Sequence, residues 1–271
     1  MKTDDVLFFG SDDHWIYALD AKNGTLLWKH ITADETGSVC MISGTVLYCG
    51  ADDQYMRAFN ATNGSLIWKF HTRDSITSSV RLGDSGNLYF GCLDNYLYCV
   101  SPEGTLIWKT DIGSPVWATP SIAFKGKYVM IGGFEGDAGK SHVHAIDAET
   151  GESVWSAPIG GIFASPAVDE DRGIVVFCTL LSMCYGFRVD NGEQLWMIEV
   201  HSGTYSSPSI HRNSGIVYVV CLTGTFYAID IKNGRQLWKK PGLRIYINIF
   251  NVFYATALKK NFLVKIGKHF L

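Results

Sequence analysis

The sequence predicts an all-β fold, a β-propeller of about six four-stranded blades. Three observations carry this. Gly followed four residues later by Trp occurs six times, at Gly24/Trp28, Gly64/Trp68, Gly104/Trp108, Gly151/Trp155, Gly192/Trp196 and Gly234/Trp238. The Trp residues are spaced 40, 40, 47, 41 and 42 residues apart. Each interval holds material for four short strands separated by turn residues, the pattern of radially stacked blades.

Residues 38–70 show one unit in full. "SVCMI" supplies an inner strand, "TVLYCG" a second, "YMRAFN" a third and "SLIWKF" the outermost. "ADDQ" and "ATNG" are the turns between the last three, and the Gly of "ATNG" can take positive φ. No segment of these repeats shows a helical apolar period with caps. A single sheet of this kind cannot bury both faces, so neighbouring units must cover one another. The Trp on the last strand is expected to dock its indole against the next blade. The Gly four residues earlier is expected to shape the turn that aims it.

A second phrase opens later units: "VWATPS" (116–121), "IFASPA" (162–167) and "TYSSPS" (204–209), with a weaker form "ITSSV" (76–80). Proline is tolerated at the first position of a strand, where no ladder bond need be donated. Trp117, Phe163 and Tyr205 share one place in this phrase. They are the candidate channel surface, since aromatics dominate interaction hot spots; inter-blade packing is the competing role.

Composition fits this class. Hydrophobic residues make up 47% and charged residues 18%, and 28 glycines supply the turns. Residues 1–241 hold 18 basic and 26 acidic side chains, so a general affinity for nucleic acid is not expected. Residues 242–271 differ: five basic residues, no acidic one, and neither a Gly/Trp pair nor the Pro phrase. The expected division is repeats over 1–241 and an atypical basic-hydrophobic tail over 242–271. The longest uncharged apolar run, 245–258, is too short for a transmembrane helix. The N-terminal residues do not read as a signal peptide.

Several motifs invite chemistry. Gly139-Lys140-Ser141 ends like a phosphate loop, but Phe134 stands where the first glycine belongs, and a strand-like "HVHAIDA" follows. His142 and His144 alternate on one strand face. With Glu135 or Asp137 they could ligate a metal, although an exposed strand face is the expectation. Asp12/Asp13 and Asp52/Asp53 read as turn carboxylates rather than a calcium loop. Sequons at Asn23, Asn60 and Asn63 coincide with the Asn-Gly turns. Seven cysteines include no CxxC pair; Cys92 and Cys99 could face each other across a hairpin, but buried thiols are expected. This slightly favours a reducing, cytoplasmic compartment.

The phrases "FFGSDDHWIYALD" (8–20), "YCGADDQYMRAFN" (48–60) and "YFGCLDNYLYCV" (89–100), with the Gly/Trp ending and the small-Ser-Pro strand, resemble the pyrroloquinoline-quinone-like repeat propellers. The resemblance covers residues 6–240. Such relatives include quinoprotein alcohol dehydrogenases, bacterial outer-membrane assembly scaffolds and the C-terminal propeller of β-alanine-activating (aminoadipate-semialdehyde dehydrogenase-like) enzymes. Family rings commonly hold about eight blades, so six repeat endings imply an incomplete ring or a fragment. The first repeat lacks an inner strand, and the tail is expected to be foreign to the repeat rather than a closing strand.

The resemblance implies a non-catalytic propeller: an interaction scaffold or accessory domain, with a protein partner or covalently linked enzyme domains. It could have been cut from a larger acyl-adenylating enzyme. No catalytic residue, metal or cofactor is expected. The alternative is a pyrroloquinoline-quinone-dependent dehydrogenase with calcium. The adjacent cysteines of those enzymes are missing here, and no catalytic residue can be carried over.

Overall fold

A computed structural model describes residues 5–135 and 141–241. Twenty-three strands form six consecutive antiparallel sheets. Blade one contains β1 (Val6–Gly10), β2 (Trp15–Asp20) and β3 (Leu26–Ile31). Blade two contains β4 (Met41–Ser43), β5 (Val46–Gly50), β6 (Tyr55–Asn60) and β7 (Leu66–His71). Blade three contains β8 (Arg81–Leu82), β9 (Leu88–Gly91), β10 (Tyr96–Val100) and β11 (Leu106–Asp111). Blade four contains β12 (Ser121–Ala123), β13 (Tyr128–Gly132), β14 (His142–Asp147) and β15 (Ser153–Pro158). Blade five contains β16 (Ala167–Asp169), β17 (Ile174–Cys178), β18 (Met183–Arg188) and β19 (Gln194–Glu199). Blade six contains β20 (Ser209–His211), β21 (Ile216–Val220), β22 (Phe226–Asp230) and β23 (Gln236–Lys240).

Strand order follows chain order in every sheet, so each blade is built from contiguous residues. Blade one has three described strands and the other five have four. No backbone hydrogen bond joins blade six to blade one among the described residues.

Burial explains the sequence patterns. The second strands are covered on both faces by neighbouring blades, so they read as unbroken apolar runs; β13 "YVMIG" and β17 "IVVFC" are buried throughout. Outer strands such as β7 are exposed along much of their length. The Asn-Gly and Asp-x-x-x-Gly turns close on themselves. Gly64 N donates to Asn60 O at 2.8 Å and Asn60 N donates to Ser65 O at 2.8 Å. The sequon side chains serve these turns: Asn23, Asn60 and Asn63 each accept from the amide two residues on.

The cysteines depart from expectation. Cys40–Cys49 and Cys178–Cys184 are disulfides, with Cα separations of 4.5 and 4.2 Å. Cys92, Cys99 and Cys221 are free and buried. Cys99 pairs with Tyr89 in the ladder, so Cys92 is not its partner. Two cross-strand bridges point away from the reducing compartment that the cysteine pattern favoured.

Candidate interaction surface at the channel mouth

Three repeated sets of contacts assemble the ring, and together they place the aromatic residues. The first joins outer parts of adjacent blades. Trp28 Nε1 donates to Ala61 O at 3.0 Å, Trp68 to Pro102 at 2.8 Å and Trp108 to Ala148 at 3.1 Å. Trp155 donates to Val189 at 2.8 Å and Trp196 to Ile231 at 2.6 Å. Each acceptor lies in the turn of the following blade, and the indole rests on that turn's glycine. A Cβ on Gly64, Gly104, Gly151, Gly192 or Gly234 would stand 2.6–2.8 Å from the ring of Trp28, Trp68, Trp108, Trp155 or Trp196. All five glycines have φ between +69° and +87°. The glycine therefore seats the preceding blade's Trp, a role beyond shaping the turn before its own Trp. Gly24, at φ +73°, has no neighbour there.

The second set anchors the connectors between blades. Thr36, Ile76, Val116, Ile162 and Thr204 donate backbone N–H groups to Ser11, Ala51, Cys92, Gly133 and Thr179. Each acceptor begins the hairpin of the previous blade. This fixes the residue that follows, which is Gly37, Thr77, Trp117, Phe163 and Tyr205 in turn.

The third set runs around the channel. Val39 N donates to Ser79 Oγ at 3.0 Å and Ser79 N to Thr119 Oγ1 at 3.1 Å. Thr119 N donates to Ser165 Oγ at 3.1 Å and Ser165 N to Ser207 Oγ at 3.0 Å. The hydroxyl two residues after each mouth position thus satisfies an amide of the blade before. These amides precede the inner strands, where no ladder partner exists, and an unpaired buried donor is costly.

The result is an arc of rings on blades four to six. Trp117 and Phe163 have ring centroids 5.1 Å apart, and Phe163 and Tyr205 5.2 Å. Phe134, which the sequence pattern did not single out, stacks at 4.3 Å from Phe163. Its amide donates to Pro115 O at 2.9 Å. All four rings are half-buried, each showing part of its surface to solvent. Blades two and three place Gly37 and Thr77 at the corresponding positions, so the mouth is aromatic on one side and small on the other.

The other candidate residues occupy structural places. Asp13, Asp53 and Asp94 reach the strand residue four positions on: Asp94 accepts from Tyr98 Oη at 2.6 Å and Asp53 from Arg57 Nη1 at 2.8 Å. Asp53 also accepts from Ala33 N at 2.9 Å, tying the hairpin to a connector. Asp52 is different. Its Oδ1 is buried without a partner, and burial, reinforced by Asp34, Glu35, Asp12 and Asp53, pushes its carboxyl up to about 6. His142 and His144 stand 6.1 Å apart on β14. The expected exposed face is corrected: His144 is largely covered, and burial drives it down to about 4, with His142 adding to the shift. Ser141 Oγ accepts from Glu135 N at 2.9 Å, and a strand rather than a helix follows. Asp137, Gly139, Lys140 and the tail 242–271 lie outside the described residues. Among the described residues no group of three or more His, Cys, Asp or Glu side chains could hold a metal ion. No helix is long and apolar enough to cross a membrane.

The family profile for outer membrane protein assembly factor BamB matches residues 1–115 and 93–242. The chain belongs to this family. It is 29% identical over 114 residues to BamB of Nitrosomonas eutropha, across 42% of this chain and 26% of that protein. It is 34% identical over 103 residues to the β-alanine-activating enzyme of Drosophila melanogaster. That match covers 33% of this chain and 10% of the enzyme's length, so the chain spans only a small part of these relatives. The crystal structure of BamB from Moraxella catarrhalis superposes with a TM-score of 0.72 at 17% identity, covering 87% of this chain and 73% of that one. A computationally designed protein, Ika8, aligns with the same TM-score at 16% identity, over 89% of this chain and 72% of its own. The BamB-type propeller fold is common to all of these comparisons with solved structures.

Proposed function

We propose that this chain is a non-catalytic propeller that acts as an interaction scaffold or accessory domain. It presents the aromatic arc at its channel mouth to a protein partner. The observation that carries this reading is the arc itself: Trp117, Phe163, Tyr205 and Phe134 in mutual contact, held by backbone bonds and still partly open to solvent. Rigid aromatic groups offer large contact area at small entropic cost. The matches to β-alanine-activating enzymes support the accessory-domain form, in which the propeller serves a larger acyl-adenylating protein. No cofactor belongs to this reading; pyrroloquinoline quinone with calcium is the competing ligand.

The test places a photo-crosslinking amino acid at Phe163 in the full chain, with the same group at Leu26 on the outer face as control. One dominant protein adduct from position 163, lost when Trp117 and Tyr205 are both Ala, is the expected result. Equal labelling from both positions overturns the assignment. So does saturable one-site calorimetric binding of pyrroloquinoline quinone with calcium that disappears in the Trp117→Ala chain.

A further inference from the structure

The Trp-on-turn joint is used five times inside the molecule, and one indole is left over. Trp238 is 42% exposed, whereas Trp196, its counterpart one blade earlier, is 6% exposed. Its Nε1 meets no acceptor among the described residues, although the five preceding indoles each have one.

The pose of Trp238 is nevertheless that of a docked residue. Tyr218 of its own blade supports it at 6.0 Å with the rings inclined at 41°. Phe8 supports Trp28 at 5.8 Å and 41°, Tyr48 supports Trp68 at 5.9 Å and 39°, and Tyr89 supports Trp108 at 5.7 Å and 40°. The ring is pre-set before anything covers it, which reduces the ordering cost of a contact.

The other half of the joint is a local structure. In blade two it consists of residues Asn60–Ser65, closed by two backbone bonds of 2.8 Å, with Gly64 as the seat and Ala61 O as the acceptor. A partner needs only this turn. We infer that Trp238 is a docking residue for a β-hairpin turn of the form Asp/Asn-x-x-x-Gly, carried by a separate protein of the same repeat class. The turn's Gly at positive φ takes the indole face, and the carbonyl after its Asp/Asn accepts the indole proton. The exposed Leu237 beside Trp238 extends the apolar contact.

A second copy is the less fitting occupant, although its Gly24 turn is open and correctly closed, with Gly24 N donating to Asp20 O at 2.8 Å. Blades joined this way turn about one axis, and rings hold about four to eight of them. Six more blades entering through the same joint would run into blade one.

The experiment uses the full chain and a labelled, backbone-cyclised peptide of residues 58–67, read by fluorescence anisotropy. Saturable binding is expected, weakened at least about tenfold by Trp238→Ala. Trp238→Phe, which keeps a ring and loses the donor, gives an intermediate value. A peptide carrying Gly64→Val does not bind. The urea midpoint of Trp238→Ala matches the parent chain, because this indole covers no neighbouring blade. No saturable binding overturns the proposal, including the case in which residues 242–271 already cover Trp238. Equal binding by Trp238→Ala also overturns it. Sedimentation of the chain alone is the second measurement: self-association abolished by Gly24→Val assigns the joint to a second copy and overturns the separate partner.

Discussion

The indole of Trp28 donates to Ala61 O in the next blade, and its ring occupies the space that a side chain on Gly64 would need. Sequence spacing links Trp28 to Gly24, but the physical partner is the glycine one repeat later. The molecule supplies its own control for this joint. Gly24 and Gly64 have nearly the same φ, +73° and +72°, yet only Gly64 carries an indole.

Gly24→Ala is therefore expected to cost only the left-handed backbone penalty, about 1 kcal/mol. Gly64→Ala adds displacement of Trp28 and is expected to cost about 2–4 kcal/mol in all. Urea midpoints of the two variants measure the difference. Equal losses would mean that the seat contributes nothing beyond the turn.

The hydroxyl relay gives a second comparison. Thr119→Val keeps the shape of the side chain but leaves Ser79 N without its acceptor. The expected loss is about 1–3 kcal/mol. Thr119→Ser restores the acceptor and should recover most of it. A Val variant as stable as the parent would show that the relay is geometrically present but energetically idle.

Acid titration should separate two opposed groups. Asp52 holds its proton to about pH 6 in the fold, against 3.8 as its ordinary value. Its ionised form thus opposes folding above about pH 6, and the penalty fades as pH falls toward 3.8. Asp52→Asn is expected to raise stability at about pH 7.5 by an amount on the order of 1–2 kcal/mol, and by nothing near pH 4. His144 acts in the other direction. Its folded value of about 4 lies below the ordinary 6.5, so the unfolded chain takes up a proton that the fold refuses. Stability is lost as pH drops from 6.5 through 4, and His144→Gln should flatten that slope. Thermal melts across this range distinguish the two.

Thiol counting checks the disulfides. The folded, oxidised chain should take up almost no alkylating reagent, because Cys92, Cys99 and Cys221 are buried. Unfolded without reductant it should gain three labels, and after reduction seven. The bridges close short loops with sequence separations of 9 and 6, so losing either is expected to cost about 2–3 kcal/mol. Seven labels without reductant would remove both bridges from the description.

Much of the fold was legible because its determinants are local. The turns, the apolar second strands and the Pro phrase lie within each repeat, and their spacing survives even the longer connection at 133–141. What stayed hidden depends on neighbours in space. The receiver of each indole, and the hydroxyl that serves Ser79 N, sit a full repeat away in the chain. Cys40 meets Cys49 because β4 begins at Met41, so Cys40 lies just outside the ladder; reading "SVCMI" as the strand obscures that register. Phe134 belongs to the one irregular hairpin, where no repeat position predicts it. The aromatic arc was half visible: three of its rings share a place in the phrase, but their contact requires the ring to curve.

Contiguous blades have a consequence during synthesis. No sheet here borrows a strand from a distant part of the chain. A blade can close on its own hairpins soon after leaving the ribosome, without waiting for the rest of the polypeptide. Its outer Trp is then bare until about one more repeat has emerged to supply the next turn. Assembly is therefore vectorial, and the growing end always presents one uncovered indole to whatever factor attends the nascent chain.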